Sequence, residues 1–198
     1  MPGREQRTVT LTDPLALRAV AHPARQALVK ELFSGRILTA TEAAELVGLS
    51  PSAVSHHLRA LEKWGLAERA AAAGDARQRP WRGTGTSLSL DSGDDPAARA
   101  ALEPIVRDLV RDVSELTEAY LATSESDPWR DGYRISRREL YLTEEEVGEL
   151  SRRLDELCRE YDVGRTSDDH PPDARRSSLA MFLVPAEPPP GPESVAER

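Results

Sequence analysis

The sequence predicts a mainly α-helical fold with one small β hairpin, followed by a C-terminal module of mixed α and β character. Three observations predict it. Between residues 13 and 65, four segments repeat apolar residues at helical spacing, and each opens on a capping residue or a proline. Residues 66–90 then switch to two short extended runs around a polar loop. Past a polar break at 91–96 come a long apolar stripe, another capped helix and an apolar octapeptide. These shifts divide the chain into a flexible arm (1–12), a compact N-terminal domain (13–90), an accessory module (91–185) and a disordered Pro-rich tail (186–198).

Asp13-Pro14 opens the first helix, with Asp as cap and Pro at the first helical position. Leu15, Leu17, Ala19 and Val20 run to His22-Pro23, where the residue before proline is steered out of helical angles. A second helix, 23–33, carries Ala27, Leu28, Leu32 and Phe33 and stops at Gly35. Thr39 and Glu42 have the spacing of a capping box and open a third helix with Ala43, Ala44 and Val47, ended by Gly48. Ser50-Pro51 starts the fourth, which buries Val54, Leu58 and Leu61 and ends near Gly65.

Two short helices joined by a three-residue turn with a glycine make a helix-turn-helix. The small Ala44 lets the helices approach, Gly48 permits a left-handed turn, and Val54 fills the angle between them. Residues 66–70 and 81–90 read as strands around the loop 73–80, where Leu88 and Leu90 alternate with Ser87 and Ser89. A hairpin directly after a helix-turn-helix makes a winged helix.

In the accessory module, residues 96–124 form a long helix with Leu102, Ile105, Leu109, Val113, Leu116 and Tyr120 on one side, and Pro104 is expected to bend it or mark a restart. So broad a stripe demands burial, on the N-terminal domain or on a second copy of the chain. Residues 127–142 read as loop and strand. The capping box Thr143/Glu146 opens a helix with Val147, Leu150, Leu154, Leu157, Cys158 and Tyr161, and 178–185 reads as a further strand.

The net charge of −8 hides an asymmetry. Residues 1–90 hold 12 Arg/Lys against 8 Asp/Glu, a net of +4, while residues 91–198 hold 14 against 26, a net of −12. A basic half can face a polyanion beside an acidic one. No apolar run is long enough to span a membrane and the N-terminus lacks a signal-peptide core, so a cytoplasmic protein without membrane contact is expected. One cysteine excludes a disulfide framework and a cysteine-rich zinc site.

The paired histidines His56 and His57 pose the functional question. Adjacent helical residues diverge by about 100°, so they cannot chelate one ion together, and neither has a Cys, His or Asp at i±3 or i±4. No phosphate loop, nucleophile elbow or HExxH accompanies them, so neither catalytic nor cofactor residues are expected and the chain does not read as an enzyme. Ser52, Ser55, His56 and Arg59 instead share one face of the fourth helix, opposite Val54, Leu58 and Leu61. Such a face suits hydrogen bonding to base edges and phosphates in a major groove. His57 falls on the flank and is expected to pack locally.

The linked segments "LRAVAHPARQALVKEL" and "ATEAAELVGLSPSAVSHHLRALEKWGLAER" resemble the ArsR-type winged-helix transcriptional regulators. The resemblance covers about residues 12–90. It implies a homodimer on a two-fold operator in double-stranded DNA, with Ser52, Ser55, His56 and Arg59 touching bases. It also implies backbone contacts from the wing arginines Arg77, Arg79 and Arg82; Gln78 beside them, and Thr39, Thr41 and Ser50 at helix N-termini, are further candidates for backbone contact. Metal-sensing members carry Cys-x-Cys before the turn or Asp/His pairs on the last helix; the corresponding stretches here contain neither Cys nor His, so no metal cofactor is expected. Dimerisation is assigned to residues 94–124 and the C-terminal module, and an effector is unspecified. The competing reading is a protein-interaction adaptor that has lost DNA binding, which the acidic C-terminal half favours and the helix-face chemistry disfavours.

Overall fold

The structure, a computed structural model, describes residues 7–71, 79–123, 126–162, 164–166 and 169–186. Among the described residues, six α-helices and four short strands follow in the order β1 (Thr8–Leu11), α1 (Pro14–Val20), α2 (Pro23–Phe33), α3 (Ala40–Val47), α4 (Pro51–Lys63), β2 (Ala67–Arg69), β3 (Trp81–Gly83), β4 (Ser87–Leu90), α5 (Pro96–Leu121) and α6 (Glu144–Tyr161). Together the N-terminal helices and the β2–β3 hairpin form a winged helix-turn-helix.

Local chemistry sets the helix ends. Asp13 Oδ1 accepts from the backbone N–H of Leu15 and Ala16, at 2.7 and 3.2 Å. At α3 the capping box closes in both directions: Thr39 Oγ1 accepts from Glu42 N at 3.2 Å, and Glu42 Oε2 accepts from Thr39 N at 2.7 Å. Gly48 ends α3 at φ 67°, a left-handed conformation in which a side chain is strained. Ser50 then caps α4, with Pro51 at its first position.

One core holds these elements. Leu17 and Val20 of α1, Leu28 and Leu32 of α2, Ala43 of α3, and Val54, Leu58 and Leu61 of α4 are buried around Leu38, Leu66 and Trp81. Each such aliphatic side chain contributes about 1.5–3 kcal/mol by leaving water. From α5 come the buried Ala98, Ala101 and Ile105, spaced i, i+3, i+7, with Leu102 packed beside them, and this helix packs along α1.

The wing departs from its expected outline. The run 81–90, expected as one strand, is two. In the first, β3 pairs antiparallel with β2, Glu68 opposite Arg82, and Leu38 bridges to Trp81 on the other side, with N···O distances of 2.9 and 2.7 Å. At Gly83 the chain passes so close to α2 that a Cβ would stand 2.7 Å from the Leu32 carbonyl oxygen. The chain then crosses over, and β4 pairs in parallel with β1. Residues 8–11, expected to belong to a loose arm, are therefore a paired strand. The reason is long-range: a parallel partner needs a crossover, and here the whole helix-turn-helix supplies it.

Beyond the wing, α5 continues from Pro96 to Leu121 with Pro104 inside it, so the proline does not mark a restart. Residues 127–142, expected as loop and strand, and 178–185, expected as a strand, have no strand pairing among the described residues; they are largely exposed, with one 3₁₀ turn at Arg130–Gly132. An apolar run without a ladder partner has nothing to hold it as a strand. The described C-terminal module is thus helical rather than α+β. One ion pair ties its C-terminal segment to α2, Arg176 reaching Glu31 at 3.0 Å, and another is internal to the module, Arg175 reaching Asp127 at 2.9 Å. The tail expected over 186–198 lies outside the described residues apart from Ala186. No helix among the described residues is long and apolar enough to cross a membrane.

Candidate nucleic-acid interface

The α4 helix divides into two faces. Val54, Leu58 and Leu61 have no exposed surface, while Ser52, His56 and Arg59 are exposed and Ser55 is half-buried. The four polar residues therefore stand together on the outer side of the N-terminal half of α4, as the spacing predicts. Their chemistry differs in detail. Ser55 Oγ donates to the Pro51 carbonyl at 2.8 Å, which leaves its oxygen to accept from a partner. Ser52 Oγ lies 3.3 Å from Ser50 Oγ, so the first turn carries a small hydroxyl pair. No ion pair occupies Arg59 among the described residues, and its fork is left to donate. A bidentate guanidinium suits the O6/N7 edge of guanine.

His57 behaves otherwise. Its Nδ1 accepts from Arg25 Nε at 3.3 Å, and its ring lies 4.5 Å from that of His22, tilted by 47°. Burial, and then the positive charges of His22, Arg25 and His56, push the His57 pKa down. His22 caps α2, its Nδ1 accepting from Ala24 N at 3.2 Å. Both histidines thus serve the junction of α1, α2 and α4. Arg25 completes it by donating to the Ala19 carbonyl at 2.6 Å. Sequence reasoning missed Arg25: the only signal was its place two residues after His22-Pro23, and its partner lies 32 residues away.

The remaining candidates are scattered. On the wing, Arg79 is exposed, whereas Arg82 is engaged: its guanidinium meets Glu68 Oε1 at 2.7 Å across the ladder. Arg69 lies 3.8 Å over the ring of Trp81. The expected contacts Arg77 and Gln78 fall outside the described residues. Thr39 and Ser50 occupy the N-caps of α3 and α4, and Thr41 is exposed on the first turn of α3. Among the described residues no group of three or more His, Cys, Asp or Glu side chains is placed to hold a metal ion.

Comparison with known families bears on the segment that carries this face. Residues 22–69, from the α2 cap to the end of β2, match the family profile described as bacterial regulatory protein, arsR family. The match is to an ArsR-family helix-turn-helix, and it covers about a quarter of the chain. The ArsR segment contains the whole polar face of α4 and the His22–Arg25–His57 junction, while the wing tip and everything beyond it lie outside the match.

Solved structures give looser likenesses. One is the apo form of a double mutant of Lactococcus lactis ZitR, at 21% identity over 72% of this chain and 84% of that chain, with a TM-score of 0.33. Another is a MarR family regulator from Neisseria meningitidis, at 18% identity over 71% and 76%, with a TM-score of 0.32. A third is the homodimeric winged helix-turn-helix DNA-binding domain of Mb0332 from Mycobacterium bovis, at 22% identity over 52% and 80%, with a TM-score of 0.31. The ArsR match over 22–69, not these likenesses, carries the assignment. No curated protein matches the chain.

Proposed function

We propose that the chain is a homodimeric, sequence-specific DNA-binding transcription repressor that reads a two-fold operator through α4. The single observation that carries the reading is the division of that helix: three apolar residues fully buried behind it, and Ser52, Ser55, His56 and Arg59 grouped in front, within a segment of ArsR type. Hydroxyls and an imidazole can donate or accept, and Arg59 donates, so the face can discriminate base edges. The N-terminal dipole of α4 adds attraction for phosphate. Thr39, Thr41 and Ser50 stand at helix N-termini suited to the backbone, and the wing arginines extend that contact.

The second copy is assigned to α5 and the module after it. Val106, Leu109, Val110, Leu116 and Leu121 are exposed along α5, an apolar stripe that only a partner removes from water. A regulator of this kind works in the cytoplasm on duplex DNA. No metal cofactor and no catalysis enter the reading.

Selection of bound fragments from the whole genome tests it. The expected result is an inverted repeat whose half-sites lie one helical turn, about 10–10.5 base pairs, or a multiple apart. Fragments sharing no inverted repeat contradict it.

A further inference from the structure

Resting on the DNA-reading role of α4, we infer that His57 is a positioning residue, which through Arg25 sets the recognition helix against α1 and α2 only while its imidazole is neutral. The geometry is a clamp with three jaws. Arg25, in the first turn of α2, donates through Nε to His57 Nδ1 at 3.3 Å and through Nη1 to the Ala19 carbonyl, near the end of α1, at 2.6 Å. The His22 ring, capping α2, closes the third side at 4.5 Å. One guanidinium thus ties the end of α1, the start of α2 and the middle of α4.

Arginine stays protonated at any accessible pH and has no acceptor. The Arg25–His57 bond therefore requires a bare Nδ1 on His57, with any ring proton on Nε2. A second proton on the ring removes that acceptor and sets two cations at hydrogen-bond distance. Among the described residues, no acidic group is found acting on His57 to offset them. The charged groups acting on His57 are His22 ahead of α2, Arg25 in α2 and His56 on its own helix, and α1 presents the Ala19 carbonyl to Arg25 rather than a charge. The fold accordingly favours neutral His57. The clamp is complete above the ordinary histidine pKa of about 6.5 and is lost as pH falls through the lower value of the folded state. His56 precedes His57 on the helix and Arg59 follows two residues later, so a tilt of α4 displaces both reading groups.

The test uses the full chain, wild type against His57→Gln and His57→Leu. Affinity for a selected operator fragment and the thermal midpoint without DNA are both read from about pH 7.5 to about pH 5.5. Glutamine keeps an acceptor that does not titrate. It should bind within about twofold of wild type at the upper pH, and leucine about five- to tenfold more weakly. On acidification the wild type should lose several-fold in affinity, and fall in midpoint, relative to His57→Gln. Coincident pH profiles for wild type and His57→Gln overturn the clamp, as does wild-type affinity in His57→Leu. A midpoint difference that grows with acid in a protein that binds no DNA sustains the clamp and overturns the DNA-reading role instead.

Discussion

The guanidinium of Arg82 and the carboxylate of Glu68 face each other across the β2–β3 ladder, 2.7 Å apart, with both side chains about half exposed. A wing arginine suited to phosphate is thus held by an acid of its own sheet. On the proposed DNA-binding reading, phosphate competes with Glu68 for it.

Glu68→Gln is accordingly expected to strengthen binding. The gain should be a few-fold and equal on all sequences, and the slope of log affinity against log salt should steepen by about one. Folding stability should change by less than about 1 kcal/mol, because the pair is exposed. A fluorescence-anisotropy salt titration checks it, and an unchanged slope counts against a phosphate role for Arg82.

Gly83 marks the turn-off from β3. A methyl group there meets the Leu32 carbonyl at 2.7 Å and Phe33 Cδ1 at 2.9 Å. Gly83→Ala is expected to destabilise the fold by about 1–3 kcal/mol, through displaced backbone rather than lost contacts. Urea unfolding should show a lower midpoint with an unchanged slope. A wild-type midpoint contradicts the close approach.

On α5, Val110 is 51% exposed in the single chain. Val110→Asp places a charge in the stripe assigned to the second copy. Light scattering should then report a monomer, and operator affinity should fall by about a hundredfold or more, since the two half-sites are no longer linked. A dimer of wild-type strength moves the interface elsewhere.

Glu31 links α2 to the C-terminal segment. Burial raises its pKa, but hydrogen bonds from Arg36 and Arg176 outweigh that and leave it lowered. A lowered carboxylate stabilises the fold above its ordinary value of about 4.5, and the contribution is lost as pH falls through the folded value. Removing one partner by Arg176→Ala should cost about 1 kcal/mol near neutrality. The difference from wild type should shrink below about pH 4.5. A difference that is constant with pH contradicts the pairing.

The helices were legible in the sequence wherever the signal is local. Asp13, Thr39, Ser50 and Thr143 cap within three residues of themselves, and prolines and Gly48 punctuate the chain on the same scale. The reading face of α4 follows from period alone. What escaped is what depends on distant partners. Residues 8–11 become a strand only because residues 87–90 arrive beside them. The 81–90 run breaks because Leu32 crowds Gly83. Residues 178–185 are apolar enough for a strand but have no ladder to join. His57 could be assigned to the flank, but Arg25 could not be named as its partner, since only the packed helices bring residues 25 and 57 together.

The most direct measurement compares Arg59→Ala with wild type on the selected operator and on random duplex of equal length, at one salt concentration. Reading of a base edge by the exposed Arg59 predicts a loss of about 1–3 kcal/mol on the operator and little on random DNA. Equal losses on both would reduce Arg59 to a phosphate contact and contradict sequence reading by α4.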